Sequence, residues 1–270
     1  MKADLHMHSL NSDGIYPVDV VVKRAYDKGI KIIALTDHDT FKGVSGAEAE
    51  AKKYGIRLIK GAEISTYYQK EPVHVLVYFN EKIPDEVLAL QDLMRQKRRT
   101  RALDYAKNLE RFYGLKFDYQ ELEAFAGNLT RGNIYRHALK KNPELEESEE
   151  TFNKYFLPED KAYIPSINQT TEEVVTFYRQ FPCLIVLAHP TLYTDETLEA
   201  ILKYDFDGIE ALYARYQNHD INFFKEIALK KGWLITAGSD FHGDKKHGDI
   251  GDVYLEGNDL DLFLERIEKL

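Results

Sequence analysis

Short apolar runs of strand length recur along the chain: Ala3 to His6, Lys31 to Thr36, Arg57 to Ala62, Val73 to Phe79, Leu184 to Ala188, Gly208 to Tyr213 and Leu234 to Ala237. Each is bounded by turn residues or charged stretches. Between most of them lie segments with apolar residues at helical spacing, among them Val18 to Lys28, Ser45 to Tyr54, Thr194 to Tyr204 and Asn218 to Lys231. This alternation predicts an α/β fold with a parallel sheet and helices outside it. Seven candidate strands, most separated by helical segments, favour a closed or nearly closed barrel, with a doubly wound open sheet as the alternative.

The alternation breaks between Pro84 and Pro165, where only helical patterns occur: one long segment from Pro84 to about Tyr113, then Tyr119 to Phe125, Arg131 to Lys141 and Glu149 to Phe156. A crossover between barrel strands needs a single helix, so the surplus reads as an inserted helical subdomain. The expected organisation is a barrel domain over 1–83 and 166–270, with an insert over 84–165 that caps the substrate site.

Composition narrows the class. At 270 residues, with 44% hydrophobic and 30% charged residues, the chain can bury a core of ordinary globular kind. It has no apolar run long enough to span a membrane and no signal-peptide order at its start, so a cytoplasmic location is expected. A net charge of -9 argues against a surface for long duplex nucleic acid, yet leaves phosphate substrates open, because bound cations reverse a local field. The single cysteine, Cys183, lies in an apolar run and reads as a buried hydrophobe.

The chemistry begins at Asp4-Leu5-His6-Met7-His8-Ser9. In a strand, residues i and i+2 share a face, so His6 and His8 can offer two nitrogens to one divalent ion. Six of the nine histidines fall at or beside the expected strands: His6, His8, His38, His74, His189 and His242. Carboxylates keep them company: Asp13, Asp37 and Asp39, Glu63, and Asp240 two residues before His242. Singly, each has a plainer reading, such as a helix cap for Asp37 and Asp39 or a turn for Asp13-Gly14 and His189-Pro190. Together, at the C-terminal rim of a parallel barrel, so many ionisable groups need charge compensation that two or three divalent ions would supply. His74 fits least well, since it starts its run instead of ending it.

These residues resemble the PHP (polymerase and histidinol phosphatase) family of metal-dependent phosphoesterases. The similarity rests on Asp4 to Ser9, on Thr36-Asp37-His38-Asp39-Thr40, on Gly61 to Glu63, on Ala188-His189-Pro190 and on Gly238-Ser239-Asp240-Phe241-His242-Gly243. It implies a distorted seven-stranded (β/α) barrel related to the TIM barrel. By that resemblance His6, His8, Glu63 and Asp240 hold one ion, Glu63 bridges to a second bound by His74 and His189, and Asp13, His38 and His242 form a third site. The helical insert is similar to the branch acting on nucleoside 3',5'-bisphosphates or on short RNA from its 5' end. Two places depart from the branch pattern: its Gly-Arg-Pro-His-Ile element reads Thr130-Arg131-Gly132-Asn133-Ile134, and a usual Gly-Gly is Phe181-Pro182.

The expected reaction is hydrolysis of a phosphate ester on a small substrate, a nucleotide or short RNA, by a hydroxide bridging two ions of manganese, iron or zinc. His189 and Asp240 belong to its catalytic set, and Asp37 is the side-chain candidate for protonating the leaving group. Arg131, Arg101 and Asn133 are the candidate substrate contacts, guanidinium groups being suited to phosphate. The rival expectations are a histidinol-phosphate phosphatase and a non-catalytic, metal-stabilised module.

Overall fold

The computed structural model describes residues 1–125, 127–157, 160–164, 169–215, 218–244 and 247–270, with the backbone alone for Asn218 and His219. Seven strands form one sheet in chain order: β1 (Ala3–Met7), β2 (Ile32–Leu35), β3 (Arg57–Tyr68), β4 (Glu71–Phe79), β5 (Leu184–Leu187), β6 (Gly208–Tyr213) and β7 (Leu234–Gly238). β1 and β2 are buried at every position, as strands covered on both faces must be, which is why they read as unbroken apolar runs.

The sheet curls until its edges nearly meet. Asp240 N donates to His6 O at 2.9 Å and His8 N to Phe241 O at 2.9 Å, while Ala3 bridges to Leu255. Asp4 reinforces the closure, its buried carboxylate accepting from Ser239 N at 3.0 Å and Gly251 N at 3.3 Å. Gly238 permits the close approach, since a Cβ there would sit 2.2 Å from the Cβ of His6.

Not every strand is parallel. β4 runs antiparallel to both β3 and β5, and a tight hairpin with Gln69 in the left-handed region joins it to β3. β3 is also longer than its apolar run, continuing through Glu63 to Tyr68. The reversal resolves the awkward position of His74: the start of β4 lies at the rim where the parallel strands end, with Ser65 opposite His74.

Around the sheet in sequence are α1 (Val18–Asp27), α2 (Val44–Tyr54), α7 (Thr171–Tyr178), α8 (Asp195–Ile201), α9 (Asn218–Lys231) and α10 (Gly257–Glu268). A hairpin brings no crossover helix of its own, and α7 packs on the β3–β4 pair instead: Val174 and Val175 join the main core, and the hydroxyls of Thr171 and Thr66 lie 2.8 Å apart.

The chain divides into two compact units, Met1–Leu88 with Asn168–Leu270, and Ala89–Ile167. The boundary expected at 165/166 falls outside the described residues. Described by itself, the second unit contains most of α3 (Asp85–Tyr113) with α4 (Tyr119–Ala124), α5 (Arg131–Lys141) and α6 (Glu149–Phe156). Its core contains an aromatic cluster, Phe156 stacking on Phe152 and meeting Tyr105 and Tyr135 edge-on. Side-chain caps start three of its helices: Asp118, Thr130 and Ser148 each accept from a first-turn amide.

Candidate metal centre

At the rim of the barrel unit one carboxylate gathers five imidazoles. Glu63 Oε2 lies 3.3 Å from His6 Nε2, 3.2 Å from His8 Nε2 and 3.2 Å from His38 Nδ1, and its Oε1 lies 2.9 Å from both His74 Nδ1 and His189 Nε2. Asp240 Oδ1 shares His6 and His8 with it, at 3.4 and 3.2 Å. Asp13 faces His242 Nε2 at 3.2 Å and His8 and His38 at 3.7 Å. The fold thus brings together His6, His8, Asp13, His38, Glu63, His74, His189, Asp240 and His242. Within this set, His6, His8, Glu63 and Asp240, then His8, Asp13, His38 and His242, then His38, Glu63 and His74, each offer ligand atoms within 4.8 Å of one another.

The donor chemistry fits a cation. The buried Nε2 of His6 and both ring nitrogens of His8 make no hydrogen bond, although carboxylate oxygens stand close by. Such nitrogens orphaned inside a protein are costly unless something other than a proton donor satisfies them. Fixed tautomers point the same way. Glu210 Oε1 accepts from His6 Nδ1 at 3.0 Å, and the Asp240 carbonyl accepts from His242 Nδ1 at 2.8 Å, which leaves both Nε2 lone pairs aimed inward.

Charge tells a consistent story. Burial pushes the Glu63 carboxyl up, but His38, His74 and His6 overcome it and hold the group well below the usual carboxylate range. Burial opposes charge on His8 too, yet Asp240 and Glu63 raise it to about 10, whereas burial drives His38 down to about 3. The carboxylates therefore draw protons onto some of the rings. A divalent ion competes for the same electrostatic well.

Three rim residues are held in left-handed backbone conformations that ordinary side chains avoid: Asp39 (φ 51°), His189 (φ 26°) and Asp240 (φ 53°). Each such residue costs on the order of 1–3 kcal/mol and persists only when its surroundings dictate it. Here they do: Asp39 N donates to Glu63 O and Asp240 N to His6 O, both at 2.9 Å, and His189 N donates to Glu210 Oε2 at 2.8 Å.

Sequence reasoning missed Glu210. It is fully buried in the strand Gly208–Tyr213 and ties His6 to His189. A lone carboxylate inside an otherwise apolar strand was the available signal. Two tyrosines were missed as well: Tyr213 donates to Asp240 Oδ2 at 2.9 Å, and Tyr193 receives His74 N at 2.9 Å and donates to Ala188 O at 3.0 Å.

Asp37 is buried, and both of its carboxylate oxygens are engaged by neighbours. Its oxygens accept from Ser9 N, Ser9 Oγ and Ser12 Oγ, each at 2.7 Å, and burial pushes its pKa up. These bonds brace the loop that carries Asp13. Cys183 is buried as expected, and burial lifts its thiol to about 12.

The candidate substrate contacts lie in the helical unit. Arg101 donates from Nε and Nη2 to Ile164 O, at 2.9 and 2.6 Å, and Arg131 donates to Phe156 O at 3.3 Å. Burial, then the nearby charges of Arg98 and Arg131, bring the Arg101 pKa down to about 10, so three guanidinium groups of this unit lie near one another. Asn133 is part of a capping box, its Oδ1 accepting from Thr130 N at 2.8 Å. No helix among the described residues is long and apolar enough to cross a membrane.

Known proteins share this architecture. The chain is 30% identical over 249 residues to a 5'-3' exoribonuclease of Haemophilus influenzae, covering 89% of this chain and 90% of that protein. It is 28% identical over 258 residues to a 3',5'-nucleoside bisphosphate phosphatase of Chromobacterium violaceum, covering 92% and 90%. A solved structure described as an amidohydrolase from Chromobacterium violaceum, with bound sulfate and no metal, superimposes with a TM-score of 0.86 at 25% identity, covering 98% of this chain and 97% of that one. Residues 4–164 match the PHP domain model, and with the relatives matching along nearly their whole length, the chain belongs to the PHP domain family.

Proposed function

We propose that this protein is a metal-dependent phosphoesterase that hydrolyses a small phosphate ester, a 3',5'-bisphosphonucleotide or short RNA taken from its 5' end, and that its setting is the cytoplasm. The observation carrying this reading is the convergence of nine imidazole and carboxylate side chains with buried, inward-facing nitrogen lone pairs. The choice of nucleotide substrates is supported by the names of the two relatives above.

His6, His8, Glu63 and Asp240 hold one ion, Glu63 with His74 and His189 a second, and Asp13, His38 and His242 a third. Imidazole and carboxylate donors suit Mn2+, Fe2+ or Zn2+. When bound, such ions supply charge neutralisation at the phosphoryl oxygens and an activated water, so no side-chain nucleophile is needed. The chain's own work is to fix the donors before substrate arrives. Glu210 sets the His6 tautomer, Tyr213 fixes Asp240, and Tyr193 and the His74 backbone lock the approach of β4 to His189. Asp37 acts by bracing the Ser9–Ser12 loop, which places Asp13. Arg131 and Arg101 are the proposed phosphate contacts, and Asn133 shapes the helix start that carries Arg131.

The test is a phosphate-release screen of the purified protein across Mn2+, Fe2+ and Zn2+, with adenosine 3',5'-bisphosphate, short RNA and histidinol phosphate. Release from the bisphosphate, or mononucleotides from RNA, is the expected result. Turnover of histidinol phosphate alone would move the protein to that branch, and no turnover with any metal would reject the enzymatic reading.

A further inference from the structure

His247 takes no part in the set described so far, yet it stands against it. Its ring stacks on His242 with centroids 3.9 Å apart and planes 25° from parallel. One of its nitrogens and one ligand atom each of Asp240 and His242 lie within 4.8 Å of one another. Its Nδ1 lies 2.9 Å from Asp244 Oδ1, and its backbone N donates to the same oxygen at 3.0 Å.

We propose that His247 is a further metal-binding side chain that acts with Asp240 and His242 on one cation, with Asp244 as its positioning residue. A carboxylate that accepts from Nδ1–H leaves the neutral ring with its lone pair on Nε2. That is the form a metal requires, and histidine ligands commonly have such a partner. The arrangement repeats at the rim what Glu210 does for His6 in the interior. The two differ in access: the His6 side chain is fully buried, whereas that of His247 is 19% exposed. The ion that His247 helps hold is therefore more open to solvent than the one His6 helps hold, and His247 sets how tightly it is kept.

This inference rests on the metal-binding part of the proposed function, and its test separates the two. Wild type, His247→Ala, His247→Gln and Asp244→Ala are loaded with Mn2+, their ion content is measured by mass spectrometry after gel filtration, and affinities are measured by chelator competition. Co2+-substituted samples give an absorption spectrum that reports the ligand set directly. In His247→Ala the affinity for one ion falls about 10–100-fold and the cobalt bands shift, while the other ions stay. Asp244→Ala moves the same way by a smaller factor. Should His247→Ala misfold by circular dichroism, His247→Gln and Asp244→Ala carry the test. Unchanged stoichiometry, affinity and spectra in the variants would overturn the inference and leave the enzymatic reading standing. A wild type that binds no divalent ion would end both.

Discussion

The barrel unit and the helical unit solve the same problem, placing charged groups where water is scarce, by opposite means. In the barrel, backbone pairing does it. Strands pinned to their neighbours residue by residue carry His6, Glu63 and His74, and the other six donors lie beyond strand ends in loops tied back by bonds such as Asp240 N to His6 O and His8 N to Phe241 O. In the helical unit, side chains reach across to distant carbonyls: Arg101 to Ile164, Arg131 to Phe156, Arg99 to Glu123 and Phe125. Register is shared by many backbone bonds, whereas each of those contacts hangs on one side chain. The barrel's charges should therefore govern the chemistry and the insert's should tune it.

The largest effect is expected at the barrel's shared carboxylate. Glu63→Gln should lower hydrolysis by about 10³-fold or more, equivalent to several kcal/mol of lost transition-state stabilisation, with the fold intact by circular dichroism. Activity surviving within tenfold would dissolve the distinction between the two units. On the insert's side, Phe156→Ala removes a fully buried ring and should cost about 3–5 kcal/mol in a urea titration. Its Mn2+ content should match wild type, and a loss of bound metal would contradict the idea that the barrel unit builds the centre by itself.

A subtler contrast comes from Arg131→Ala. With Arg131 as the proposed phosphate contact, loss of one charged hydrogen bond is worth about 1.5–3 kcal/mol, so KM should rise about 10–100-fold while kcat changes little. A fall in kcat with KM unchanged would give the insert a catalytic share instead. The smallest effect concerns the barrel's outer surface, where Arg24 grips Asp249 with two bonds of 2.8 Å and Lys28 adds a third contact at 2.9 Å. The Arg24 hydrogen bonds, ahead of Lys28, bring the Asp249 pKa down from 3.8 to about 2. A depressed carboxylate stabilises the fold above its unfolded pKa, and that stability disappears as pH falls through the folded value. Asp249→Asn should thus cost about 1 kcal/mol at pH 6 after solvent screening. The gap should close between about pH 4 and pH 2, read from melting temperatures; a gap constant with pH would assign it to packing.

What could be read from the sequence follows the same divide. The strands and the nine donors were legible because apolar period and rim position are local patterns that the backbone obeys. The expectation of an all-parallel sheet failed at β4, where a hairpin replaced a crossover. Nothing local distinguishes a parallel from an antiparallel strand when both are buried on two faces, and His74 was the sole hint. Glu210 escaped notice because neither partner adjoins it in the chain, His6 lying at the opposite end and His189 on the preceding strand-to-helix turn. Helices of the second unit were legible from their period. The pairing of Arg101 with Ile164 was not, because it depends on how loops return.

The way the sheet closes bears on how the protein is born. Its first strand meets its final partners, Phe241 and Leu255, only after nearly the whole chain has been made, and the cover for the β3–β4 hairpin is encoded at Thr171. A nascent chain leaving the ribosome therefore carries His6, His8, His38 and Glu63 early, beside an open strand edge, while His189, Asp240 and His242 have yet to emerge. The full set of nine donors therefore exists only once the segment after β7, which carries Asp240 and His242, has been made.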